Sequence, residues 1–189
     1  MRLPAYFFIL FTCFGIFGNV NAQYNFNVKR TLGETNHQIV YASYNSDGKY
    51  MITAGTDNNI IIWNTDSRII YQTLTGLKAR PNVAVFSPDN EFVFSGGSDN
   101  KVSVWSLGTD PKIVKTFEEG YKGPIKSLDV SPDGKYIATG STGGSIKIWD
   151  VQSTNLVYEL MGHDKNKDVN AVAFSPDGKT LASGGEDGT

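Results

Sequence analysis

The residues of this chain that could do chemistry are few, and each pattern fails at a required position. Gly178-Lys179-Thr180 ends like a phosphate-binding loop, in which glycines let backbone amides cradle a phosphate. Ala173 stands where the opening glycine is needed, and Gly48-Lys49-Tyr50 and Gly134-Lys135-Tyr136 repeat the tripeptide as a turn. Asp164-Lys165-Asn166-Lys167-Asp168 begins like a calcium loop, but Val169 replaces the glycine of the sharp bend and Ser175 the bidentate acid. His37 and His163 lie far apart without neighbouring ligands, no Cys/His cluster could hold zinc, and no Gly-x-Ser-x-Gly elbow occurs. We therefore expect no catalytic site, no metal site and no cofactor within these residues.

The polar residues that do form a pattern recur at a fixed step. Thr53, Ser95, Thr139 and Ser183 make a hydroxyl column, and Asp57, Asp99 and Asp187 a carboxylate column that Gly143 interrupts. Trp63, Trp105 and Trp149 keep the same step, as do Asp47, Asp89, Asp133 and Asp177, which are 42, 44 and 44 residues apart. The elements that must position these columns are short strands. In Ser131–Asp150, KYIATG and SIKIW alternate β-branched and apolar residues and are entered through a Ser-Pro-Asp-Gly turn. The same stretch returns at Asn45–Asn64, Ser87–Ser106 and Ser175–Thr189. IVYASY, PNVAVF, IKSLDV and VNAVAF precede the turns as innermost strands, and IIYQTLTG, IVKTFEEG and LVYELMGH follow the tryptophans as outer ones. Ala54-Gly55, Gly96-Gly97, Gly140 and Gly184-Gly185 keep bulk away where the second strand meets its turn. A repeat of about 40–45 residues, four strands long and closing on Trp, has the spacing of a propeller blade.

The repeats resemble the WD-repeat family. Ile148-Trp149-Asp150 matches its signature dipeptide and Met161-Gly162-His163 the Gly-His that opens a repeat, and the likeness spans about Phe26–Thr189. It implies an all-β propeller of four-stranded antiparallel blades. It also implies a buried network joining the hydroxyl, the carboxylate, the indole N–H and the repeat-opening His. Only His163 supplies that imidazole: Leu77 and Tyr121 occupy its position in the second and third repeats, and Glu34 roughly that of the first. We therefore expect each network to be partial and Trp63, Trp105 and Trp149 to hold their blades mainly by packing.

Domain organisation follows from the count. Residues 1–22 carry Arg2, an apolar run from Ala5 to Phe17 and a Val20-Asn21-Ala22 end, as a cleaved signal peptide does. The run is too short for a bilayer, which needs about 20 residues. Residues 23–34 read as an orphan outer strand, 35–76, 77–120 and 121–163 as complete repeats, and 164–189 as a truncated fourth. About three and a half blades make an incomplete ring, so remaining blades are expected elsewhere in a longer protein. Cleavage would remove Cys13, the one cysteine, and shift the net charge from −2 to about −3. Scattered Lys and Arg form no basic stripe for nucleic acid, and no membrane association is expected after signal removal.

The resulting expectation is a secreted or periplasmic binding scaffold for a protein or peptide. The alternative is a sensor or recruiting domain of an exported enzyme, such as a protease or hydrolase, whose catalytic domain lies beyond residue 189. In the family's geometry the inter-repeat loops and the turns after the second strands share one face. That face would carry Arg80, Asn82, Tyr121, Lys122, Lys126, Lys165 and Asn170, with Arg80, Tyr121 and Lys126 nearest the channel mouth, and would take an acidic segment.

Overall fold

A computed structural model describes residues 38–118 and 120–189; the proposed signal segment, the orphan strand, Glu34 and His37 lie outside them. Fourteen strands appear among the described residues and no helix. The first sheet runs β1 (Ile39–Tyr44), β2 (Tyr50–Gly55), β3 (Ile60–Asn64) and β4 (Ile70–Leu74) in simple antiparallel order. The second runs β5 (Pro81–Phe86), β6 (Phe92–Gly97), β7 (Val102–Ser106) and β8 (Lys112–Phe117), and the third β9 (Ile125–Val130), β10 (Tyr136–Ser141), β11 (Ser145–Asp150) and β12 (Leu156–Met161). A two-stranded sheet of β13 (Val169–Phe174) and β14 (Leu181–Gly185) ends the series. These are blades of an incomplete propeller, as the repeat spacing implied.

Local chemistry explains each meander. In the entry turn of the third sheet the Ser131 hydroxyl donates to Asp133 Oδ1 at 2.7 Å and accepts the Tyr136 N–H at 2.9 Å. Asp133 Oδ1 also accepts the Lys135 N–H at 3.1 Å, so one short side chain satisfies donors that the tight turn leaves free. The left-handed position (φ near +70°) is taken by Gly48, Gly134 and Gly178, and in the second sheet by Asn90 at φ 63. Glycine or Asn is what that backbone region admits at low cost. A second recurring irregularity sits on the outer strands. Tyr71, Val114 and Val157 have no opposite residue, because Trp63, Trp105 and Trp149 pair with Ile70, Ile113 and Leu156. Each is a bulge that re-aims one side chain.

The core lies between sheets. Ile52, Ile60, Ile62 and Leu74 of the first sheet meet Ala84, Val93 and Trp105 of the second. Phe94, Val102, Val104 and Phe117 of the second meet Ile125, Leu128, Ile137 and Trp149 of the third. Ala138 and Ile146 then meet Val169 and Val172. Burying one such Ile, Phe or Val contributes about 1.5–3 kcal/mol, so each sheet owes its stability to the next. The column Leu74, Phe117, Leu160 shows the dependence: 0% and 2% exposed where a full sheet follows, 39% where only β13 and β14 follow.

Small residues set the spacing. A Cβ on Gly140 would lie 2.5 Å from Ser127 Oγ and 2.8 Å from Val169 O, so this column is the place where the next inner strand comes closest. Inner strands are stitched by side chains: Ser43 donates to Ala84 O at 3.1 Å, Asn82 to Ile125 O at 2.8 Å and Ser127 to Val169 O at 3.2 Å.

Candidate functional site

Backbone hydrogen bonds lock the turn after each second strand to the loop that enters the same repeat. Thr56 N–H donates to Gln38 O, Ser98 to Arg80 O, Thr142 to Pro124 O and Glu186 to Asp168 O, all at 2.9–3.0 Å. Turns and inter-repeat loops therefore form one face. The Ser-Pro-Asp-Gly turns form another row, where Asn90 donates to Ser46 Oγ at 3.2 Å and Ser46 to Pro88 O at 3.4 Å. The first face carries the residues singled out in the sequence.

Beneath that face each indole makes a hydrogen bond beside the packing expected to hold it. Trp63 Nε1–H donates to Thr53 Oγ1 and Trp105 Nε1–H to Ser95 Oγ, both at 2.9 Å. Trp149 Nε1–H donates instead to the Tyr121 hydroxyl at 2.7 Å. That hydroxyl lies 2.8 Å from Thr139 Oγ1, which donates on to Lys147 O at 3.3 Å. Tyr121 thus fills the place of the imidazole, which was the missing signal: an aromatic hydroxyl at a Gly-His position can both accept from an indole and donate onward. Burial pushes its ionisation up, so it stays protonated. Its hydroxyl is committed inside the blade rather than available as an interface anchor.

In the last repeat His163 Nδ1 lies 2.9 and 3.0 Å from the two Asp187 oxygens, and Nε2 lies 2.9 Å from Ser183 Oγ. A carboxylate only accepts, so Nδ1 carries a proton toward Asp187, and Nε2 makes the hydrogen bond to the Ser183 hydroxyl. The Asp164 N–H and the imidazole hold the Asp187 carboxyl well below the usual carboxylate range. Asp57 accepts from the Asn59 N–H at 3.2 Å, and Asp99 from the Lys101 N–H at 3.3 Å. Both carboxylates shape their turns.

Gly143 interrupts the carboxylate column in the third repeat, and a different charge pair stands nearby. Lys147, on the Trp strand where the other repeats have Ile61 and Ser103, has a side chain only 2% exposed. Its Nζ pairs with Glu159 Oε1 at 3.1 Å, lies 5.9 Å from the Tyr121 ring centroid, and shares Glu159 with the Ser145 hydroxyl. The sequence carried a signal for this pair too, a lysine in a column otherwise apolar or small.

The expected binding residues are distributed over the face with different degrees of freedom. Arg80 is exposed and donates from Nε and Nη2 to Asn82 Oδ1 at 3.2 and 3.1 Å. Asn82 in turn tethers β5 to β9, so it is half-buried and structural. Lys126 pairs with Asp168 at 2.8 Å, which ties the third repeat to the fourth and neutralises it. Lys101 pairs likewise with Glu118. Lys122, Lys165 and Asn170 are exposed, and Lys122 lies close enough to Glu159 to lower its carboxyl slightly, after Lys147. The face is therefore mixed in charge, with Arg80, Lys122 and Lys165 as its outward cations.

Antiparallel four-stranded blades that close on Trp and pack face to face define a propeller of repeated units. The family model WD40 (WD domain, G-beta repeat) matches residues 26–64, 71–106, 111–150 and 154–189, and the chain belongs to that family. WD40 repeats generally serve as protein-interaction scaffolds. No curated protein matches the chain.

Proposed function

We propose that this chain is an exported propeller segment that binds a protein or peptide through the inter-repeat loop face. The observation that carries the reading is the backbone locking of each turn to its loop, which presents Arg80, Lys122, Lys165 and Asn170 from a rigid support. A preorganised surface loses little entropy on binding. The family's general role and the apolar N-terminal run of residues 5–17 support scaffold and export respectively. The partner segment is acidic at the positions that meet Arg80 and Lys122. Arg80 faces a neutral amide oxygen and keeps its charge for a carboxylate. A random peptide library displayed on phage tests this. Selected peptides should be enriched in Asp and Glu, and the double variant Arg80→Glu, Lys122→Glu should weaken them at least about tenfold. Peptides that ignore the double variant but are lost on changing Lys49, Glu91 and Lys179 would place binding on the opposite turns.

A further inference from the structure

Each inner strand opens on a bulge. Ile39, Pro81, Ile125 and Val169 pair with the ends of the second strands, and the next residue, Val40, Asn82, Lys126 or Asn170, has no opposite residue. A bulge re-aims one side chain, and at Asn82 and Lys126 it aims that side chain along the ring to the following repeat. Asn82 Nδ2 donates to Ile125 O at 2.8 Å, and Lys126 pairs with Asp168 at 2.8 Å. The two seams differ in charge. At the seam of the third and fourth repeats the ion pair cancels Lys126. At the seam of the second and third the tether is a neutral amide, and its other end, Asn82 Oδ1, accepts from Arg80 Nε at 3.2 Å and Nη2 at 3.1 Å. The Arg80 backbone is held too, since its carbonyl accepts the Ser98 N–H at 3.0 Å. Among the described residues no carboxylate pairs with the guanidinium. Asp99, the acid on the neighbouring turn, accepts the Lys101 N–H instead.

A guanidinium is planar, with its N–H donors in a fixed fork. Asn82 occupies the Nε–Nη2 edge, which leaves the Nη1–Nη2 edge with one parallel N–H from each nitrogen. That pair matches the two oxygens of a carboxylate. We propose that Arg80 reads one partner carboxylate through its Nη1–Nη2 edge, and that Asn82 is the positioning residue that aims it. The ligand is an Asp or Glu side chain rather than a phosphorylated one. Lys126, the cation at the same strand position in the next repeat, is already neutralised, so a dianion would lack its second counter-charge. That the carboxylate belongs to a protein or peptide rests on the scaffold reading; the aim of the guanidinium does not.

The test titrates sodium acetate into the full chain at constant ionic strength and follows the arginine Nε–H and the Asn82 side-chain amide by heteronuclear NMR. Arg68 is the internal control, exposed like Arg80 but without a side-chain partner among the described residues. Acetate should shift Arg80 saturably and bind there about three- to fivefold more tightly than at Arg68, as an oriented exposed pair allows. Arg80→Lys keeps the charge and the Asn82 tether but loses the fork, so acetate seen at the Asn82 amide should weaken at least about threefold. Asn82→Ala should bring Arg80 down to the level of Arg68 and loosen the motion of its Nε–H, a readout that a loss of stability alone does not move. Asn82→Asp should abolish the acetate shift by setting a carboxylate on the guanidinium from within. Equal binding at both arginines, full binding in Arg80→Lys, or an Arg80 still ahead of Arg68 in Asn82→Ala would each overturn the proposal. So would methyl phosphate binding at least about tenfold more tightly than acetate, which requires a second cation. Acidic peptides selected on the loop face without an acetate preference at Arg80 would sink this inference alone. An acetate preference with no such peptides would support it and sink the scaffold reading alone.

Discussion

Removing one oxygen from Tyr121 separates hydrogen bonding from packing in the third blade. Tyr121→Phe keeps the ring, whose centroid is 5.7 Å from that of Trp149, and leaves the Phe117–Trp149 edge contact untouched. What goes is the acceptor of the Trp149 N–H at 2.7 Å and the partner of Thr139 at 2.8 Å. Trp149 is 1% exposed and Thr139 0%, so water does not replace the lost oxygen. A buried donor left without an acceptor costs about 1–3 kcal/mol, and the Thr139 contact adds about 0.5–1.5 kcal/mol. The sum is roughly 1.5–4.5 kcal/mol, or a Tm lowered by about 3–18 °C in a chain of this size. Urea denaturation followed by tryptophan fluorescence measures it, and a double-mutant cycle with Trp149→Phe isolates the pair. Coupling of about 1–2 kcal/mol is expected. A loss under about 0.5 kcal/mol with no coupling would show that Trp149 holds its blade by packing alone.

Three further outcomes follow from the same geometry. Glu159→Gln should destabilise the chain by about 1–2 kcal/mol by leaving the buried Lys147 ammonium without its anion, while Lys147→Met should be near neutral in urea denaturation. Asp129 accepts the Phe174 N–H at 2.7 Å, yet burial raises its carboxyl above the usual value. A raised carboxyl costs stability fully above its folded pKa and not at all below its unfolded one, so Asp129→Asn should raise Tm at pH 7 and lose that advantage by about pH 3. Gly140→Val should cost roughly 1–3 kcal/mol in the same denaturation assay, because its Cβ meets Ser127 and the Val169 carbonyl.

The fold was legible because its signals are local and repeated. Alternation gives the strands, Ser-Pro-Asp-Gly gives the turns, and the regular step of Asp and Trp gives the blades. The small column at Ala54, Gly96, Gly140 and Gly184 was also readable, since a residue no larger than Ala recurs there in every repeat, and at Gly96 and Gly140 the next inner strand leaves no room for a Cβ. The face was harder, because charge on a sequence is counted residue by residue while charge on a surface is counted after pairing. Lys126 reads as a free cation until Asp168, 42 residues later, is placed beside it. Tyr121 reads as an exposed interface aromatic until its hydroxyl is found under Trp149.

The central claim is that partners meet the inter-repeat loop face, and site-specific photocrosslinking tests it most directly. p-Benzoylphenylalanine would be placed singly at Arg80, Lys122 and Lys165 on that face and at Lys49, Glu91 and Lys179 on the opposite turns. The protein would be irradiated in the cells that make it, and adducts read by mass spectrometry. The account predicts a common partner protein crosslinked from the first three positions and from none of the second three. Adducts confined to Lys49, Glu91 and Lys179 would contradict it.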